Sequence, residues 1–112
     1  MPPKSDNADI IRIKHMRDAA KEALSFIKDK NREDLRNDRK LALSLIKEIE
    51  MIGEAASRVS AAFRKTHQDI PWDIIIAARN RLIHGYFDID YEIVWSTVTG
   101  ELPKLLERLN RI

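Results

Sequence analysis

The stretch DRKLALSLIKEIEMIGEAASRVSAAFRKT, residues Asp38–Thr66, decides the fold. Its apolar residues Ala42, Leu45, Ile46, Ile49, Ile52, Ala56, Val59 and Phe63 recur at intervals of three and four. On a helix turning ~100° per residue, that spacing gathers them into one stripe and leaves the charges opposite. The spacing predicts one long amphipathic helix over 38–66. Gly53 lies in its middle, where glycine costs about 1 kcal/mol relative to alanine. Two readings fit it: close approach of a second helix, or a tolerated defect or kink.

A helix with one apolar stripe needs partners, and the flanking sequence supplies them. Ile10, Ile13, Met16, Ala20, Leu24 and Ile27 predict a first helix from about Asn7 to Asp29, capped by Asn7 or Asp9. A short polar connection with one helical turn around Glu33–Leu35 joins it to 38–66. Downstream, Ile70-Pro71-Trp72-Asp73 reads as a helix start with proline in the first turn. That third helix should run to His84, with Gly85 as its left-handed C′ residue. Asp88-Ile89-Asp90-Tyr91-Glu92 reads as the N-cap and acidic first turn of a last helix. Its stripe is Val94, Trp95 and Val98, then Leu102, Leu105, Leu106 and Leu109, with a kink or break expected at Gly100 and Pro103. The fold expected is all-α, an antiparallel bundle of four to five helices. It forms a single domain over 1–112, with residues 1–6 disordered. Ile11, Leu43, Ile74 and Ile76 cannot all point inward with their neighbours and are left as interface candidates.

Composition narrows the chemistry. Hydrophobic residues are 44% and charged residues 34% of the chain, which suits a folded core. With no cysteine, disulfides, thiolate metal sites and cysteine nucleophiles are excluded. The longest apolar run, Ile74–Ala78, is too short to cross a membrane, and the N-terminal MPPKSDN has no apolar signal core. A cytoplasmic protein is expected. Net charge is only +2, but residues 58–84 carry Arg58, Arg64, Lys65, Arg79 and Arg81 against Asp69 and Asp73. The positive excess thus sits mid-chain, which permits nucleic-acid binding without demanding it.

Three histidines remain. His15 and His67 have no partner at metal-ligand spacing and read as surface residues. His84 has richer neighbours in Ala78-Arg79-Asn80-Arg81-Leu82-Ile83-His84-Gly85-Tyr86. On a continuous helix Asn80 and His84 share a face, while Arg79 lies about 140° from His84. Arg79 and His84 can then meet one phosphate only if the helix ends at His84 or the arginine reaches along the surface. Arg81 should project into solvent. By spacing alone, the segment also reads as an ordinary amphipathic helix with a polar side.

The pattern Arg79-Asn80-x-x-x-His84 resembles the Arg-polar-x-x-x-His signature of HEPN-domain ribonucleases. With Gly85-Tyr86 it resembles the longer Arg-x4-His-x-Tyr motif of HepT-like toxins. Ile52-Gly53-Glu54-Ala55-Ala56, Ile70-Pro71-Trp72, Ile89–Trp95 and Leu102-Pro103 resemble further family segments, so the likeness covers nearly the whole chain. The resemblance implies a HEPN-like bundle and a metal-independent endoribonuclease with no cofactor. It implies the toxin of a type VII-like toxin–antitoxin pair. The expected partners are a second copy, an RNA substrate and a nucleotidyltransferase antitoxin of the MntA type that transfers AMP to Tyr86.

The residues make chemical sense of this. Cleavage by the ribose 2′-hydroxyl needs a proton acceptor, a proton donor for the 5′-oxygen and a cation on the phosphorane. Histidine does proton work near neutral pH, and arginine offers a permanently charged fork for phosphate oxygens. Asn80 can position His84 or the phosphate. One motif supplies one histidine, so acid and base need a second histidine, a solvent molecule or another group; a two-fold dimer pairing two motifs would supply two histidines and two arginines in one cleft. Glu54 reads either as a surface carboxylate or as a partner that orients Arg79 or His84. A different class also fits the sequence: a non-catalytic helical subunit that regulates a minimal nucleotidyltransferase.

Overall fold

The computed structural model describes residues 4–85 and 88–112, with side chains from residue 7 onward. It is built on a pair of long helices, α1 (Lys4–Phe26) and α3 (Arg39–Ser57). They run antiparallel. Asp9 near the start of α1 bonds Ser60 just past the end of α3, and Phe26 at the end of α1 shares a groove with Lys40 and Leu43 at the start of α3. The short α2 (Arg32–Arg36) connects them, closed by a capping box between Asn31 and Asp34. Next come α4 (Ala61–Thr66), α5 (Trp72–Ala77) and α6 (Arg79–Leu82). A two-residue ladder follows, β1 (Ile83–His84) against β2 (Asp88–Ile89), antiparallel with Ile83 opposite Ile89 and His84 opposite Asp88. The chain ends in α7 (Tyr91–Ser96), a π-helical turn (Thr97–Glu101) and α8 (Leu102–Asn110).

The core is the predicted one in its main line. Ile13, Met16 and Ala20 of α1 meet Ala42, Leu45, Ile49, Ile52 and Ala56 of α3, and Val94, Val98, Leu102, Leu105 and Leu109 close the far side. The all-α expectation holds apart from the small ladder. None of the described helices is long and apolar enough to cross a membrane. The left-over apolar residues do stand outside: Ile11, Leu43, Ile74 and Ile76 are 51, 44, 54 and 36% exposed. Ile10, expected in the inward stripe, is exposed too. The disorder expected for residues 1–6 falls partly on residues 1–3, outside the described residues, and partly on the first turn of α1.

Gly53 resolves toward close approach. A Cβ there would lie 3.0 Å from the carbonyl oxygen of Ile75, so the backbone of α5 rests directly on α3. The predicted helix over 38–66, by contrast, breaks after Ser57. Arg58 and Val59 N–H turn back to the carbonyls of Ala55 and Ala56, and the Ser60 hydroxyl caps α4 by accepting from Phe63 N–H at 3.2 Å. Arg64 donates to the carbonyls of Ala56, Ser57 and Val59, satisfying the helix end. Neither Asn7 nor Asp9 caps α1, which already begins at Lys4. Asp9 is buried within the helix and accepts from both the N–H and the hydroxyl of Ser60, at 2.8 and 2.6 Å. At Gly100 and Pro103 the helix does not break. It widens into one π turn, where a proline without an N–H can enter.

One carboxyl is out of place in this core. Glu48 is 3% exposed, its Oε2 has no hydrogen-bond partner among the described residues, and it faces Glu22 of α1. Burial, and then the neighbouring Glu22, push its pKa from 4.5 to about 7.

Two outcomes follow from the packing. Gly53→Ala should lower stability by about 1 kcal/mol in urea melts, because a backbone clash outweighs the gain in helix propensity. Between pH 4.5 and about 7 the folded chain holds a proton on Glu48 that the unfolded chain has released. Stability should therefore fall as pH rises across that window, by up to about 3 kcal/mol, and level off above it. Glu48→Gln should flatten that slope in melts taken from pH 4 to pH 8.

Candidate functional site

The segment Trp72–His84 does not form the single helix expected of it. At Ala78 the bonding tightens to i, i+3, with Ala78 N–H on the Ile75 carbonyl and Arg81 N–H on the Ala78 carbonyl. The helix then ends at Leu82. Ile83 is extended, and the Leu82 carbonyl accepts from Asp90 N–H at 2.8 Å. A β-branched residue whose partner Ile89 lies across the ladder gains more from pairing than from another helical turn. Gly85 has φ +72 as expected, but as the residue after β1 rather than the C′ of a helix.

This early ending rearranges the motif. The i, i+4 relation between Asn80 and His84 is lost, since Asn80 lies on α6 and His84 on β1; both are exposed. Along the strand Ile83 turns inward and His84 outward. The His84 Nε2 lies 3.0 Å from Asp90 Oδ2. A bond from His84, and then one from Ile93 N–H, hold the Asp90 carboxyl below its ordinary range. Asp90 Oδ1 meanwhile caps α7 by accepting from Ile93 N–H at 3.1 Å. Around the pair lies a shallow depression with Arg36, Asp88, Tyr91 and Glu92, in which Arg36 and Arg32 both engage Glu92.

Arg79 opens onto a different surface. Its Nε donates to Glu50 Oε1 at 2.8 Å, in a cleft of about 710 Å³ between α1, α3 and α5. Arg12, His15, Lys47 and Arg58 join Arg79 there against Glu50 and Glu54, so the cleft is basic on balance. Met51 and Ile76 give it an exposed apolar rim. Within one chain, then, Arg79 and His84 line separate depressions. Glu54 shares the cleft with Arg79, but its ion pair is with Arg58 at 2.8 Å, and the carboxylate that holds Arg79 is Glu50. Arg81 pairs with Glu101 at 3.1 Å. His15 is a cleft residue, whereas His67 stacks on Phe63. Tyr86 lies outside the described residues.

Sequence reading missed Glu50, Arg12 and Lys47 in the cleft and Asp90 as the partner of His84. A signal for the cleft existed. Lys47, Glu50, Glu54 and Arg58 recur at three and four on the polar side of α3. Asp90 was legible only as a cap.

Comparison with known proteins places the chain in a family. The family model described as Ribonuclease HepT-like matches residues 16–112. The chain is 33% identical to the protein of Thermococcus cleftensis named "Probable ribonuclease HepT", covering 81% of this chain and 86% of the relative. It is 31% identical to a protein of Caldanaerobacter subterraneus subsp. tengcongensis named provisionally as an RNase, covering 89% of each. It is 33% identical to another so named from Methanocaldococcus jannaschii, covering 79% of this chain and 81% of the relative. No solved structure matches the chain significantly. The class is thus an all-α HEPN-like domain bearing an Arg-x4-His motif. The chain belongs to the HepT-like ribonuclease family.

Proposed function

We propose that this chain is a metal-independent endoribonuclease, the toxin of a type VII-like toxin–antitoxin pair, working in the cytoplasm as a homodimer. The observation that carries the reading is the exposure of both motif residues, Arg79 in a basic cleft and His84 beside a carboxylate, within a chain of this family. Because the two line separate depressions, a second copy is the economical way to place an arginine and two histidines around one phosphate. The exposed Ile11, Leu43, Met51, Ile74 and Ile76 supply apolar surface for that contact.

In the proposed reaction the 2′-oxygen attacks phosphorus and its proton passes to one His84. The bond to the 5′-oxygen breaks, and that oxygen takes a proton from the protonated His84 of the second copy. Arg79 bridges the phosphorane oxygens, Asn80 positions the phosphate, and a 2′,3′-cyclic phosphate remains. Glu54 supports the cleft through Arg58. No cofactor takes part.

Tyr86, two residues beyond His84, is the proposed switch. An MntA-type nucleotidyltransferase antitoxin would transfer AMP from ATP to its phenol oxygen, releasing pyrophosphate. The new phosphate repels RNA and competes for Arg79.

Incubation of the purified chain with total RNA should give cleavage that persists in EDTA and leaves cyclic phosphate ends. Arg79→Ala and His84→Ala should each lower the rate by about a hundredfold or more. A chain that cuts no RNA, yet still binds the transferase, is a regulatory subunit instead. Incubation with the neighbouring transferase and ATP should add AMP to Tyr86 by peptide mass, and Tyr86→Phe should escape silencing.

A further inference from the structure

We infer that Asp90 is the positioning residue for His84: its Oδ2 accepts from Nε2–H, which leaves Nδ1 as the nitrogen that exchanges protons with RNA. This rests on the ribonuclease reading above and specifies which side of the imidazole does the work.

The carboxylate is held before the histidine reaches it. Asp90 N–H is bonded to the Leu82 carbonyl at 2.8 Å, two residues ahead of His84. Its Oδ1 is fixed by the cap to Ile93 N–H at 3.1 Å. Only Oδ2 is left, and it points at Nε2 at 3.0 Å. The Asp90 side chain is 25% exposed against 57% for His84, so the acid is the more enclosed partner and fixes where the ring is held.

An ionised carboxylate only accepts hydrogen bonds. Nε2 must therefore carry its proton in both charge states of the ring, and the proton gained or lost is the one on Nδ1. When His84 acts as acid, Nδ1–H gives its proton to the 5′-oxygen and the neutral ring stays bonded to Asp90. When it acts as base, bare Nδ1 takes the proton of the 2′-hydroxyl.

Other charged groups face this pair. Glu92 lies in the same depression but is engaged by Arg36 and Arg32 at 2.6 and 3.4 Å. Asp88 stands opposite His84 across the ladder and is exposed. It is the natural control.

The test uses Asp90→Asn and Asp90→Ser, both of which keep a side chain able to cap α7 while removing the charge. Both should melt near the wild type. Both should cleave RNA at least about tenfold more slowly. Asp88→Asn should keep the wild-type rate. Independently of RNA, ring nitrogen NMR should find the neutral His84 protonated on Nε2. The Asp90 carboxyl carbon should titrate at higher pH in His84→Gln than in the wild type. A wild-type rate in both Asp90 variants, a proton on Nδ1 of the neutral ring, or an Asp90 titration indifferent to His84→Gln would each overturn the proposal. A chain that cuts no RNA while the Asp90 titration responds to His84→Gln overturns the ribonuclease reading and leaves the pairing standing.

Discussion

The backbone of α5 lies on α3 at Gly53, and the arrangement of the motif follows from that contact. With a Cβ position only 3.0 Å from the Ile75 carbonyl, no larger residue lets the two helices approach so closely without displacement. The contact fixes α5 against the C-terminal part of α3, four residues before that helix ends at Ser57. Ile75 on one side of α5 enters the core, and Ile74 and Ile76 on the other sides stay exposed. Arg79 then emerges one turn later above α3, where Glu50 meets it. A glycine that reads as a weak point in helix propensity is thus the residue that sets the register of the arginine.

A second constraint acts at the other end of the motif. The run from Arg79 to His84 has helical spacing, but Ile83 is claimed by Ile89 across the ladder and Asp90 N–H by the Leu82 carbonyl. Ending the helix at Leu82 turns the last two residues by the alternation of a strand. His84 then faces the side where Asp90 begins α7. The cap that starts one helix and the strand pair that ends another therefore meet on the same carboxylate.

Much of this was legible in the sequence. The stripes of α1, α3 and α8 have helical period, and the residues they could not absorb, such as Ile11 and Ile74, are exposed. The Arg-x4-His motif was visible because its spacing is short. What escaped was non-local or invisible to periodicity. Ala56, Val59 and Phe63 keep their three-and-four spacing straight through the break at Arg58–Ser60, so the stripe conceals the turn; the local signal was the cap Ser60. Asp9 looked like a cap because its real partner, Ser60, lies 51 residues away. Glu50 faces Arg79 across 29 residues, and neither side chain announces the other. The ladder at Ile83 was missed because two residues of strand carry too little alternation to oppose a helical reading.

The motif residues are held by acids, and the manner of holding differs in a way that matters for chemistry. The Arg79–Glu50 pair is about half exposed on the arginine side, and such pairs are worth about 0–1 kcal/mol. A doubly coordinating phosphate competes well against that, since it offers the guanidinium fork two oxygens. Glu50 thus keeps Arg79 extended into the cleft at little cost and yields it readily. Arg64, by contrast, is committed to the carbonyls of Ala56, Ser57 and Val59 at the end of α3. Asp90 is bound at its backbone and at both oxygens, so it does not yield. On the proposed ribonuclease reading, the arginine is free to follow the substrate while the partner of the histidine stays in place, the division that a phosphate-binding cation and a proton-transferring ring require.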